Sequence, residues 1–180
     1  MQIKKLPVEG VLLIEPDVYY DERGYFLESY NEDRFRDAGI TTRFVQDNHS
    51  MSNKGVLRGL HYQRPPHDQG KLVRVVRGAV TDVVVDIRKS SPGYGKYVSV
   101  SLTEENRNML WIPPGFAHGF LALADNTVFL YKCSKVYNKI SENGILWSDP
   151  DLGISWNWPD PLVSAKDREL GSFRDLVSEF

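Results

Sequence analysis

One cysteine, Cys133, occurs in 180 residues, so no disulfide forms within the chain and no Cys-rich zinc motif is present. A lone thiol fits a reducing compartment, and a cytoplasmic location is the expectation. Long apolar runs are missing too: none approaches the roughly 20 residues that span a bilayer. The opening stretch MQIKKLPVEG has two lysines with no apolar segment behind them and does not read as a signal peptide. Neither sign of charge is in excess. Twenty-two Lys and Arg stand against 24 Asp and Glu, a net −2, which argues against a general nucleic-acid surface. Any anionic ligand must therefore be met by local arginines and lysines.

What is present is an ordinary globular composition, 41% hydrophobic and 26% charged. A chain of this length fits one domain, residues 1–180, and buries a core without disulfides or a structural metal. Most of it reads as strand, turn, strand. VLLIEPDVYYDERGYFLESY holds two β-rich runs around the hairpin signal Asp21-Glu22-Arg23-Gly24. Asn31 to Ala38 reads as a brief helix stopped by Gly39. From Thr42 onward, short apolar runs alternate with glycine-bearing breaks: RFVQDNHSMS, VLRGLHYQ, KLVRVVRG, AVTDVVVDIR, YVSVSL, MLWIPPG, HGFLALA and TVFLYKCSKVY. Arg74, Arg77 and Asp82 interrupt these runs, as expected of strands with one wet face. The tail from Ser164 to Phe180 again reads as helical. No repeat, low-complexity tract or linker divides the chain, and the expectation is an all-β sandwich or barrel with a small helical fringe.

Pro113-Pro114-Gly115-Phe116-Ala117-His118-Gly119 is a tight turn that delivers a histidine to the head of a strand. Its spacing resembles the second motif of the cupin superfamily, Pro-x-Gly-x-x-His. A turn histidine bonded to backbone is the plainer reading. Many cupins hold a metal with a His-x-His pair, but here His61 is followed by Tyr62 and Gln63, with Lys71 and Arg74 on the next strand. Cations directed into one cavity oppose a divalent ion, so no metal and no redox cofactor are expected.

The resemblance narrows when five segments are taken in order. They are KGVLRGLHYQ (54–63), GKLVRVVRG (70–78), the turn ending at His118, FLYKC (129–133) and SAKD (164–167). Together they are similar to the dTDP-4-dehydrorhamnose 3,5-epimerase family over nearly the whole chain. The resemblance implies a cupin-type jelly-roll β-barrel with a few short peripheral helices. It also implies a dTDP-linked 4-keto-6-deoxyhexose as substrate, whose C3 and C5 protons flank a ketone. Removing either proton gives an enolate, and reprotonation on the other face inverts that carbon.

By the same resemblance His61 is the base, and an ordinary imidazole titrates near 6.5, which suits that task. Asp167 is the carboxylate paired with it, Tyr131 the acid on the opposite face, and Lys71 the cation beside the developing oxyanion. Arg23 and Arg58 meet the diphosphate. Gln46, Asp47 and Asn48 line the sugar and nucleotide pocket. Tyr137 stacks on thymine, Phe26 covers its other side, and Glu28, His118, Glu142 and Lys166 add polar contacts. The family also implies a homodimer whose N-terminal strands carry Arg23, Phe26 and Glu28 to the neighbour's site. Each residue has a duller reading beside this one. Asp167 caps the tail helix, Tyr131 is a half-buried strand tyrosine, Lys71 is a solvated strand end, and Arg23 and Glu28 are surface charges of a hairpin. Three further functional readings stay open, an epimerase acting at C3 or C5 alone, a non-catalytic sugar-nucleotide binder and, third, a metal-dependent cupin oxygenase.

Overall fold

The computed structural model describes residues 1–180. Its elements in chain order are β1 (Gln2–Lys5), β2 (Leu12–Glu15), β3 (Val18–Asp21), β4 (Gly24–Leu27), α1 (Glu32–Asp37), β5 (Gln46–Ser52), β6 (Val56–Gln63), β7 (Lys71–Arg77), β8 (Ala79–Asp86), β9 (Tyr97–Thr103), β10 (Met109–Ile112), β11 (Phe116–Ala122), β12 (Thr127–Cys133), β13 (Glu142–Gly144), β14 (Leu162–Val163) and α2 (Ala165–Arg168). One sheet runs β1-β2-β10-β7-β12-β5 and the other β13-β6-β11-β8-β9. Short β14 adds in parallel to β6, and β3-β4 is a separate hairpin closed by the two residues Glu22 and Arg23. This is the all-β jelly roll of the cupins.

Period-two alternation divides each strand between two environments. Val73 and Val75 of β7, Leu110 and Ile112 of β10, Val80 and Val84 of β8, Phe116 and Phe120 of β11 and Phe129 of β12 meet between the sheets. The opposite residues of the second sheet, among them Leu57, Leu60, Val83, Val85 and Leu121, are covered by Trp156 and the tail residues Phe173, Leu176 and Phe180. On the first sheet's outer face, Leu72, Met109 and Trp111 pack under Phe35 and Ile40 at the short helix α1. Asn31 caps that helix by accepting the Arg34 N–H.

Strict alternation fails at one place that matters. Between β6 and β11 the register runs His61↔His118 and then Arg58↔Phe120, three residues on β6 against two on β11. The extra residue lets Leu57 and Leu60 share the outer core while Arg58 and His61 both face inward. Gly59 makes this possible. Its φ is +129°, and a Cβ there would lie 2.5 Å from the Gly119 Cα.

Two expectations need correction. Asp82 is not on a wet face: it is fully buried, in parity with Val80 and Val84, and bonded to His118. Arg74 is half-buried and Arg77 exposed. The tail is helical only over Ala165–Arg168. Beyond it, Phe173, Leu176 and Phe180 imitate helical spacing, but they are anchors of an irregular strap. Its backbone bonds go elsewhere, from Leu146 N–H to Gly171 O and from Lys89 N–H to Phe180 O.

Candidate active site

A cavity of about 580 Å3 opens between the sheets. Arg58 and His61 of β6 and His118 of β11 line it from the second sheet; Ser50, Lys71, Phe129 and Tyr131 line it from the first. Lys166 and Asp167 of α2 close one end. An adjoining cleft of about 250 Å3 shares His61, Lys71 and Tyr131 and adds Gln46, Asn48, Tyr137 and Glu142.

Asp167 owes its position to a helix cap. Ser164 Oγ accepts the Asp167 N–H at 3.1 Å, which starts α2 and turns the carboxylate toward β6. One oxygen lies 2.7 Å from His61 Nε2 and the other accepts the Gly59 N–H at 3.3 Å. Burial pushes this carboxyl up, but the His61 contact, the Gly59 N–H and Ser164 together outweigh it and hold it below the usual carboxylate range. Asp167 is thus anionic at neutral pH and fixes the His61 proton on Nε2, which leaves Nδ1 as the ring's free acceptor. The capping role and the histidine-pairing role are both present in one residue.

Across the cavity, burial raises the Tyr131 phenol, with the Cys133 and Glu142 side reinforcing this and Arg58 opposing it. The hydroxyl therefore keeps its proton at neutral pH. Burial pulls the Lys71 ammonium down, while Cys133, Asp82 and Glu142 act in the other direction. Arg58 is held from behind, its Nε donating to Ser52 Oγ at 3.0 Å and its Nη2 to Met51 O at 3.2 Å. At the cleft end, Glu142 Oε2 accepts the Tyr137 hydroxyl at 2.7 Å and lies 2.5 Å from Lys166 Nζ. Burial raises the Glu142 carboxyl, yet these two donors and the nearby His61 bring it below its ordinary value. Gln46 accepts the Tyr137 N–H at 2.8 Å and donates to Asn48.

Four sequence candidates lie off these walls. Asp47 alternates with Gln46 and Asn48, so its side chain faces outward, where Lys132 Nζ binds it at 2.9 Å. Arg23, Phe26 and Glu28 lie on or just beyond the separate hairpin. Arg23 pairs with Asp21 rather than Glu28, Phe26 is 68% exposed, and Glu28 is engaged by Arg34 and Asn31. Three residues were not foreseen, Ser50 on the cavity wall and Ser52 and Asp82 behind it. Ser52 steadies Arg58, Asp82 binds His118, and the Ser50 hydroxyl is sealed from solvent with no hydrogen-bond partner. For Asp82 the signal was available, since V-x-D-x-V puts it on the same face as two core valines.

The donor set does not suit a metal. No three His, Cys, Asp or Glu side chains converge, and His61 and His118 each already engage a carboxylate. A histidine held by a carboxylate, a protonated phenol on the facing sheet and a half-buried lysine lining the same cavity suit removal and return of a proton on carbon. Fold and site together define a cupin-type isomerase. The chain belongs to the dTDP-4-dehydrorhamnose 3,5-epimerase family, whose model matches residues 5–175. An enzyme of that name from Shigella flexneri is 56% identical, over 97% of each chain. The solved dTDP-6-deoxy-D-glucose-3,5-epimerase of Legionella pneumophila, in complex with dTDP-4-keto-L-rhamnose, is 46% identical with a TM-score of 0.94, covering 97% of this chain and 94% of that one. ChmJ, a 3'-monoepimerase from Streptomyces bikiniensis solved with dTDP-quinovose, is 36% identical with a TM-score of 0.86, covering 93% of this chain and 85% of its own.

Proposed function

We propose that this chain converts dTDP-4-dehydro-6-deoxy-D-glucose to dTDP-4-dehydro-L-rhamnose by inverting C3 and C5, as a step of dTDP-rhamnose biosynthesis. The observation that carries the residue assignment is the 2.7 Å His61–Asp167 pair on one sheet with the Tyr131 phenol on the other. His61 Nδ1 takes the proton from C5 or C3, and Asp167 stabilises the imidazolium. The electron pair left on carbon moves to the C4 oxygen, where Lys71 meets the enolate charge. Tyr131 then gives its proton to the opposite face of the same carbon. Return of one proton to Tyr131 and loss of one from His61, through solvent, restores both groups with no net change of protons.

Arg58 suits the diphosphate, and the cleft bearing Gln46, Asn48, Tyr137 and Glu142 suits the nucleoside, with Lys166 beside it. The exposed aromatic side chains of Tyr19, Tyr20, Tyr25 and Phe26 support a homodimer in which this hairpin packs on the partner. Arg23, Phe26 and Glu28 then serve the partner's cavity. No helix is long and apolar enough to cross a membrane, and a nucleotide-sugar substrate fits a cytoplasmic enzyme.

The likeness to a 3'-monoepimerase favours one second reading, inversion at a single carbon. Incubation with the proposed substrate in deuterated buffer, read by NMR, separates the two. Deuterium and inversion at both C3 and C5 are the expected result. Inversion at one carbon alone establishes the second reading, and no catalysed exchange at either overturns both.

A further inference from the structure

Asp82 lies beneath the cavity, wholly buried on β8 in parity with Val80 and Val84 of the core, with Lys71 as the nearby cation. Both its oxygens approach one atom, His118 Nε2, at 3.0 and 2.9 Å. His118 itself borders the cavity, with its side chain 8% exposed. A buried pair of this kind is a poor way to stabilise a core, because apolar side chains of similar volume commonly do as well or better. Its retention in the midst of Phe120, Phe129 and two valines calls for a task that only a held imidazole performs.

We propose that Asp82 is a positioning residue for substrate recognition, fixing the His118 ring from below so that Nδ1 accepts a hydrogen bond from a hydroxyl of the bound hexose. This rests on the sugar-nucleotide reading above and extends it. With the Nε2–H committed to Asp82, Nδ1 is the one polar atom the ring has left, and in that tautomer it is an acceptor. A diphosphate has only acceptor oxygens and suits Arg58, whose guanidinium lines the same cavity. A sugar hydroxyl supplies the donor that Nδ1 needs. Asp82 thus differs in task from Asp167, although each binds a histidine through Nε2.

The test compares wild type, Asp82→Leu and Asp82→Asn in turnover of dTDP-4-dehydro-6-deoxy-D-glucose and in binding of dTDP, which lacks the hexose. Asp82→Leu is expected to raise KM about tenfold, the worth of one hydrogen bond, with kcat reduced no more than about threefold. Affinity for dTDP stays at the wild-type level. Asp82→Asn, whose amide oxygen still accepts the Nε2–H, recovers part of the loss, and it carries the test if the leucine variant does not fold. Nitrogen NMR of the His118 ring is expected to show the Nε2–H tautomer in wild type and a mixture in Asp82→Leu. An unchanged KM in both variants overturns the proposal, as does an equal loss of dTDP affinity, which would place the contact on the diphosphate. Failure of wild type to turn over the sugar would instead count against the functional reading itself.

Discussion

His61 and His118 stand opposite each other on β6 and β11, each bound through Nε2 to a buried aspartate, yet the two pairs are built differently. The His61 side chain is 31% exposed and its aspartate comes from a capped turn of helix, with the Gly59 N–H as a further donor. The His118 side chain is 8% exposed and its aspartate comes from the middle of a central strand, with no other hydrogen-bond donor. The proposed base exchanges protons with solvent through every cycle, and the first environment suits that task. A group that only holds a fixed acceptor is better served by the second, where surrounding packing prevents the ring from turning.

The most forceful way to break this comparison is to exchange the roles by mutation. His61→Asn is expected to cut deuterium exchange into the sugar about a thousandfold, the scale of a lost general base. His118→Asn should leave the exchange of bound substrate largely in place and act on KM. Equal collapse of exchange in both variants would show that the pairs share one task. Next in size is Lys71. Lys71→Met is expected to slow turnover about a hundredfold, as for loss of an oxyanion contact. The ammonium must be charged to act, and burial lowers its pKa, so the Lys71 contribution is lost as pH rises through a value below the ordinary 10.4 of lysine, which gives activity an alkaline limb. Lys71→Arg keeps its charge at those pH values. An alkaline limb that stays in place in the arginine variant would remove Lys71 as its cause.

How much of this difference was legible in the sequence depends on which residues are considered. The strand at Val56–Gln63 and the hairpin at Asp21–Gly24 could be read directly, since β-rich runs and turn residues are local signals. His61, Asp167, Tyr131 and Lys71 were singled out through motif order, and the fold brings all four to one cavity. The facing of Arg58 and His61 was not legible. Three residues apart, they belong on opposite faces of a regular strand, and only the register shift at Gly59 unites them. Asp82 was misread for the opposite reason. Its position followed the alternation faithfully, but a carboxylate in a strand suggests solvent unless its partner is known, and that partner lies 36 residues away. The tail misled because burial against a sheet produced an apolar spacing that helices also show.

A smaller effect sharpens the comparison through stability. The Asp167 pKa is lower in the folded chain than in the unfolded one, so its contribution is fully present above the unfolded value near 3.9 and is lost as pH falls through the folded one. The gap in Tm between wild type and Asp167→Asn should therefore be widest near neutral pH and close as pH falls below the unfolded value. A gap constant over that range would mean that the asparagine loses packing rather than a charged acceptor.

The smallest net change is expected when both residues at the floor of the cavity are replaced together, and it separates stability from function most cleanly. Removing His118 alone, as His118→Leu, leaves a carboxylate buried without its partner and should cost about 3–5 kcal/mol. Replacing both residues, as Asp82→Leu with His118→Leu, removes the stranded charge together with its cause. The double variant should melt within a few degrees of wild type, or above it, while its KM for the sugar nucleotide remains raised. A double variant as unstable as His118→Leu would mean that the pair is itself a structural element of the barrel. Recovery of stability without recovery of KM would instead mark the floor pair as retained for recognition, at some cost to a core that apolar residues would fill at least as well.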